Sequence, residues 1–489
     1  MTRGDFDRFA ERLSGEVLLP AHEDFHFERG GADPAFRHEP DVIVCAETAE
    51  DIQETVRFAA ERGMPIAVQA TGHGLAKPAR GGVLLSTRRM SHIDIDSERQ
   101  TATVGAGTRF GQLIPLAAEH GLAPLSGSSP GVGVVGYNLA GGLSLLTRTY
   151  GWAADSVRSL DLVTADGALR TVAPESDPDL FRALFGGRDN FGVVACMEIG
   201  LVPVARLFGG GFFFDGETAG QVLNAWSRWT RDQPAEMNSS AALISIPDDP
   251  DVPPTLRGRS VLHVRIAYTG TADDGRTLVE PLRHAGPLLL EDLRDMPFTQ
   301  SATIHNDPPV LMAAHADTAL LECLDEATVD TLLTMAAPST GWPTVIEIRH
   351  LGAAATAPSR AIAVADRNAE FLLSLVTLVD ADITRAKVAD LYERTLAALA
   401  PVTRGAALSF LGAGADSHRL RDAYSEQDFA FLQNMKRTHD PKNLFRNNHT
   451  IPVRPRPSDI TPGKRGDFVM LRTDTPAMTP ISQPGPPFS

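Results

Sequence analysis

Cysteine is scarce in this chain. Cys45, Cys196 and Cys323 stand far apart among 489 residues, with no CxxC pair, which excludes a disulfide framework and a paired-thiol zinc or redox site. Each lies in apolar sequence and reads as a core thiol. Basic charge is also short: 45 Lys and Arg against 61 Asp and Glu leave a net charge of −16. That balance argues against nucleic acid or an anionic membrane as partner. Aromatic residues make up only 6% and do not interleave with basic runs. No apolar stretch is long enough to span a bilayer. The opening residues, Met1-Thr-Arg-Gly-Asp-Phe-Asp-Arg8, lack the apolar centre of a secretory signal. His305, His315 and His350 have no carboxylates at ligand spacing, and HExxH is absent, so no metal is expected. These absences predict a cytoplasmic, reducing setting.

What is present is the composition of a globular protein, 43% hydrophobic and 22% charged, and a length that allows two or three domains. Residues 8–18 read as a helix. A strand begins near Asp41-Val-Ile-Val-Cys45, and residues 48–62 show helical spacing of Ile52, Val56, Phe58 and Ala59 up to Gly63. Pro65 to Val68 is a short buried strand, which completes a βαβ unit. Ala165-Asp166-Gly167 marks a hairpin between strands 157–164 and 168–172. Composition shifts near Arg206, after which strands (261–268, 344–350) alternate with helices (222–231, 328–335). A last helix begins near Asp428, and the proline- and serine-rich tail beyond Pro452 reads as extended or disordered. The divisions are 1–205, 206–410, a returning segment 411–455, and a tail 456–489.

Two glycine-rich stretches carry the chemical signal. In Thr71-Gly-His-Gly74, Gly72 and Gly74 flank His73 at the exit of a strand, which lets the backbone approach a flat ligand. Gly131-Val-Gly-Val-Val-Gly136 has the letters of a dinucleotide fingerprint, but Ser126-Gly-Ser-Ser-Pro130 before it is a poor strand. The glycines continue as Gly141-Gly142 and fit a backbone pressed against an extended cofactor.

In order along the chain stand His73 in its glycine turn, Gly127-Ser-Ser-Pro-Gly-Val-Gly-Val-Val-Gly136 with Gly141-Gly142, and Tyr150-Gly151 with Asp155. Val163-Thr-Ala-Asp-Gly167, Asp179-Leu-Phe181, Asn190-Phe-Gly-Val-Val194, and Asp440-Pro-Lys-Asn-Leu-Phe-Arg446 with Asn448 follow. Together they resemble the FAD-linked oxidoreductases of the berberine-bridge-enzyme type, in the vanillyl-alcohol-oxidase superfamily. The resemblance is strong over 38–203, clear over 424–451, and weaker between, where Glu347-Ile-Arg-His-Leu-Gly-Ala353 is similar to a substrate-domain strand.

The resemblance implies an α+β fold: a two-lobed PCMH-type FAD-binding domain, plus an antiparallel-sheet substrate domain covered by helices. It implies FAD joined covalently through His73. It also implies cofactor contacts from Thr71, Gly72, Gly74, Gly127, Ser128, Ser129, Gly133, Gly136, Gly141, Gly142, Gly192, Val193 and Asn448. Many relatives add a cysteinyl link at the position of Ser129, which has no thiol, so attachment here is expected to be single. The implied reaction takes hydride from an alcohol or amine carbon of a small, secondary-metabolite-type molecule, and dioxygen then reoxidises the flavin to give hydrogen peroxide. Cyclisation or another reaction without net oxidation is the alternative. Arg188 and Asp189 depart from the usual glycine pair, and His449 from the frequent glutamine.

The proton acceptor is open between several residues. Tyr424 stands near a tyrosine that relatives use, or it is a packed tyrosine. Tyr137 lies within the glycine-rich stretch, as a flavin neighbour or a packing residue. Alternation places Glu347 and Arg349 on one strand face, either lining a pocket or salt-bridged, and Trp342 either floors the cavity or joins the core.

Overall fold

Thr48 Oγ1 accepts a hydrogen bond from the Asp51 amide, and the Asp51 carboxylate accepts one from the Thr48 amide, both at 3.1 Å. This reciprocal cap starts helix Ala49–Arg62, and Gly63 at φ +64° ends it. The structure, a computed structural model, describes residues 3–75, 77–308, 312–336, 342–357, 362–364, 366–412 and 417–453. The expected tail, 456–489, lies outside the described residues. Helix Ala49–Arg62 connects two of three parallel strands, Val42–Cys45, Val83–Ser86 and Ile66–Gln69. Val42–Cys45 and Val83–Ser86 are buried throughout, as continuous aliphatic runs in a parallel sheet should be.

The expected helix over 8–18 is not formed. A helix occupies Arg3–Ala10, and Glu16–Leu18 is a strand paired antiparallel with Val42–Cys45. Phe9 stacks on Phe58 with ring centroids 4.0 Å apart, which holds the helix against Ala49–Arg62. Gly15 then lies so close to the sheet that a Cβ would stand 2.0 Å from the Cys45 carbonyl oxygen. Sheet pairing, which leaves no trace in local periodicity, overrides the helical pattern.

A second, antiparallel sheet runs Ile93–Asp96, Thr101–Gly105, Gly192–Gly200, Val157–Thr164, Leu169–Val172. The third is larger. Among the described residues it has nine strands, including Arg206–Asp215, Ser260–Tyr268, Met237–Ser245, Thr344–His350 and Phe371–Leu378 side by side. Alternate residues of these strands, such as Phe212, Val264, Leu243, Ile348 and Leu373, form one core with helices Ala219–Thr230, Ala272–Arg283, Glu326–Ala336 and Arg385–Ala398. The opposite face is polar. Arg265, Ser240 and Arg349 lie in register across three strands, and His263, Ala242 and Glu347 lie in the next row.

Helix Glu426–His439 carries the chain back to the smaller sheets. Its Lys436 is fully buried, paired with Asp440 at 2.8 Å, and it donates to Asn190 O at 2.9 Å and to Phe445 O. Among the described residues no helix is long and apolar enough to cross a membrane.

Candidate cofactor and active site

Strand Ile66–Gln69 ends in a side chain that is tied down: Gln69 bonds His38 at 3.0 Å and Gly30 O at 2.9 Å. The chain then turns through Thr71-Gly-His-Gly74. Gly72 takes φ +74°, and a Cβ there would meet Gly31 Cα at 2.6 Å, so a larger residue would push the turn off the underlying backbone. The turn presents His73, whose Nδ1 is 3.2 Å from Thr71 Oγ1. His73 is exposed by surface area, yet the protein atoms crowded around the ring desolvate it, and this, then the Arg109 charge, hold its pKa below the ordinary histidine value. The imidazole is therefore neutral near pH 7 and keeps a nucleophilic nitrogen.

His73 stands between an inner cavity of about 350 Å³ and an outer groove of about 840 Å³, both bordered by Thr71, Ser128 and Ser129. The candidate cofactor residues from Thr71 to Gly74, from Gly127 to Gly136, and Gly192, Val193 and Asn448 all border the inner cavity. Gly141 and Gly142 do not. They lie behind the wall at φ +97° and +66°, where a Cβ would stand 2.8 Å from the Trp152 ring or 2.6 Å from the Tyr137 ring. Their contribution is to leave room for those two rings, of which Tyr137 lines the cavity.

Tyr137 lines the cavity and packs edge-on against Phe110 at 5.1 Å. Its hydroxyl is buried without a partner among the described residues. Burial raises its pKa, opposed by Arg349, so the hydroxyl stays protonated and offers a hydrogen bond to whatever fills the cavity. Tyr424 is elsewhere. It is buried against Phe429, its hydroxyl donates to Gly186 O at 2.7 Å, and it does not border the cavity. Leu408 to Leu411 and Asn448, not Tyr424, bring the C-terminal part of the chain to the cavity. Trp342 packs at the edge of the core formed by the large sheet and its helices.

Glu347 sits at the centre of a buried polar cluster on the large sheet. It accepts from Arg265 at 2.8 Å, His305 Nε2 at 3.0 Å, Arg349 Nε at 2.9 Å and Ser240 at 3.1 Å. Burial works to raise its pKa, but Arg349, His305 and Arg265 together hold it well below the carboxylate range. Arg349 also borders the cavity, and with Leu143 it links this space to a smaller one of about 40 Å³ lined by Arg265 and His305. Burial and the Arg265 charge push His305 down to about 4. Arg265 and His305 were not anticipated from sequence. For Arg265 the one signal was its i,i+2 spacing with His263 within an expected strand, which puts both on one face; His305 had none.

The buried histidines set an acid limit on stability. A folded pKa below the unfolded value of about 6.5 means the unfolded chain binds more protons as pH falls. For His305 that stability is full above about 6.5 and lost as pH drops toward about 4. Calorimetry from pH 7 to pH 4.5 is expected to show a falling melting temperature, and His305→Gln a flatter decline. An equal slope in the variant would remove His305 as a cause.

Residues 40–173 match the family described as FAD binding domain. The fold agrees. A crystal structure of 6-hydroxy-D-nicotine oxidase from Arthrobacter nicotinovorans superposes with a TM-score of 0.78 at 23% identity, covering 90% of this chain and 98% of that one. Residues 40–173 thus match an FAD binding domain, and the chain as a whole shares the fold of that oxidase. The PCMH-type fold is shared with a glucooligosaccharide oxidase of Acremonium strictum, whose structure is described as revealing a novel flavinylation. Its TM-score is 0.79 at 18% identity, covering 90% of this chain and 96% of that one. Among curated proteins, (R)-6-hydroxynicotine oxidase of Paenarthrobacter nicotinovorans is 35% identical over 202 residues, 41% of this chain. That match spans less than half, 44%, of the relative's length. The residues present suit FAD: a long glycine-walled cavity, a neutral histidine at its mouth, and an orphaned tyrosine hydroxyl in its wall.

Proposed function

We propose that the chain is an FAD-dependent oxidoreductase that oxidises an alcohol or amine carbon of a small molecule, with FAD attached through His73. The observation that carries this reading is the position of His73, open at the junction of a glycine-walled cavity and an outer groove. In this reading residues 1–205 and 411–455 hold the cofactor, and the polar face of the sheet within 206–410 receives the substrate. The relatives are named for a hydroxynicotine and a glucooligosaccharide, both small molecules. Bound FAD supplies the hydride acceptor, and dioxygen takes the electrons on as hydrogen peroxide.

The chain supplies position and proton transfer. Glu347 accepts from His305 Nε2 and so selects the tautomer whose Nδ1 lone pair is free; Nδ1 is buried with no partner among the described residues. In our reading His305 takes the proton from the substrate hydroxyl or amine, and Glu347 stabilises the imidazolium that results. Arg265 and Arg349 orient the substrate from the same face. Tyr137 donates a hydrogen bond within the cofactor cavity.

Two measurements on one preparation test the proposal. After acid precipitation, mass spectrometry is expected to find FAD on the wild-type chain and none on His73→Ala. Anaerobic mixing with an alcohol or amine substrate is expected to bleach the flavin until oxygen is admitted. Complete release of flavin from the wild type defeats the covalent assignment. Product formed without bleaching would favour the non-oxidative reading instead.

A further inference from the structure

Arg188 takes no part in the scheme above, yet it holds a costly conformation. Its backbone sits at φ +55° and ψ −131°, a region normally left to glycine and occupied by other residues chiefly at functional sites. The guanidinium donates to His449 Nδ1 at 2.7 Å. It also reaches over the histidine turn, where Gly74 leaves it room: a Cβ at position 74 would stand 2.7 Å from Arg188 Nη2. Asn448, left-handed at φ +59°, donates to Gly74 O at 3.3 Å. Two strained non-glycine residues thus meet at one edge of the cavity.

The charge at that edge is unbalanced. Among the described residues no carboxylate forms an ion pair with Arg188, although the guanidinium borders the cavity. Lys77 adds a second positive charge acting on His449, which burial, Arg188 and Lys77 keep neutral and able to accept from the guanidinium. Asp189 is the acid beside them on the cavity wall, and burial pushes its carboxyl toward the neutral form against the pull of Arg188. A guanidinium held in place at a cavity edge, with no carboxylate in ion-pair contact among the described residues, calls for an anion. In FAD the groups charged at neutral pH are the two phosphates.

We propose that Arg188, oriented by His449, is a ligand for the diphosphate of FAD, a second anchor independent of the His73 tether. This rests on the FAD reading above, and the test separates the two. In the full-length His73→Ala chain flavin binds reversibly, so fluorescence titration with FAD and with riboflavin compares that parent with the same chain carrying Arg188→Gly. Loss of a charge-assisted contact of about 1.5–3 kcal/mol corresponds to FAD binding weakened roughly 10- to 100-fold, with riboflavin binding unchanged. The flavin-free double variant is expected to melt no lower than its parent, because glycine relieves the backbone at position 188. Arg188→Lys is expected to retain part of the FAD affinity.

If the His73→Ala background does not fold, the rate of covalent loading of the flavin-free wild-type chain against FAD concentration serves instead. Arg188→Gly is expected to raise the half-saturating concentration by the same factor and leave the maximal rate alone. Equal losses for FAD and riboflavin, or no loss for either, would overturn the diphosphate assignment. A parent that binds no flavin at all would overturn the FAD reading with it.

Discussion

Lys436→Met is expected to destabilise the protein by about 3–5 kcal/mol. Lys436 and Asp440 are both fully buried, 2.8 Å apart. Burial lowers the lysine pKa, while Asp440 opposes the shift, so the pair is held by mutual attraction and by its other bonds. The ammonium also satisfies the carbonyls of Asn190 and Phe445. Asp440 in turn accepts from the Leu444 and Phe445 amides at 2.7 and 2.9 Å. Methionine fills the volume but leaves one buried carboxylate without its cation and two carbonyls without a donor. Because Asn190 leads into the strand beginning Gly192–Val193 on the cavity wall, flavin loading is expected to fall along with stability. Adding Asp440→Asn removes the stranded charge and is expected to restore part of the loss. Denaturant unfolding of the three proteins gives the numbers, and a single variant within 1 kcal/mol of the wild type would show that water or relaxation compensates the pair.

Glu347→Gln is the second large effect. The carboxylate lies between Arg265 and Arg349, with His305 as a third partner, and all four side chains are largely withdrawn from solvent. The amide leaves two like charges close together in a buried site, a loss on the order of 3–5 kcal/mol by analogy with other broken buried pairs. It also frees the His305 tautomer, so in our scheme the turnover number is expected to fall by roughly 10²–10⁴, the range for a positioned acid–base group. Arg265→Met combined with Glu347→Gln removes one of the repelling charges and is expected to regain stability but not turnover. If the double variant regained both, the cluster would be structural, and the proton acceptor would have to be sought elsewhere.

Much of the framework was legible because it is written in local pattern. The Thr48 cap and Gly63 stop bracket helix Ala49–Arg62, and strand Thr344–His350 has the expected bounds. Alternation along that strand put Glu347 and Arg349 on one face, and they do meet, at 2.9 Å. The glycine turn around His73 was readable because Gly72 and Gly74 answer to backbone geometry and to space for neighbours, which residue type alone reports.

What was not legible depends on partners distant in sequence. Tyr424 was considered for its place ahead of the last helix, but its hydroxyl is spent on Gly186 O, 238 residues away. Arg188 and His449 were noted separately as departures from a pattern; that they bond each other across 261 residues is a property of the fold. His305 carries no local signal, since it follows a short helical turn and its environment comes from Arg265 and Glu347 on two strands.

The order of short motifs along the chain was enough to point to an FAD binding domain, which the match over residues 40–173 bears out, because a turn that approaches a flat ligand constrains residue types within a few positions of one another. Which side chains face the reacting space was decided only by tertiary structure. A charge or hydroxyl acquires its role from what lies within about 3 Å of it, and in this molecule those neighbours come from strands and turns 42 to 261 residues away.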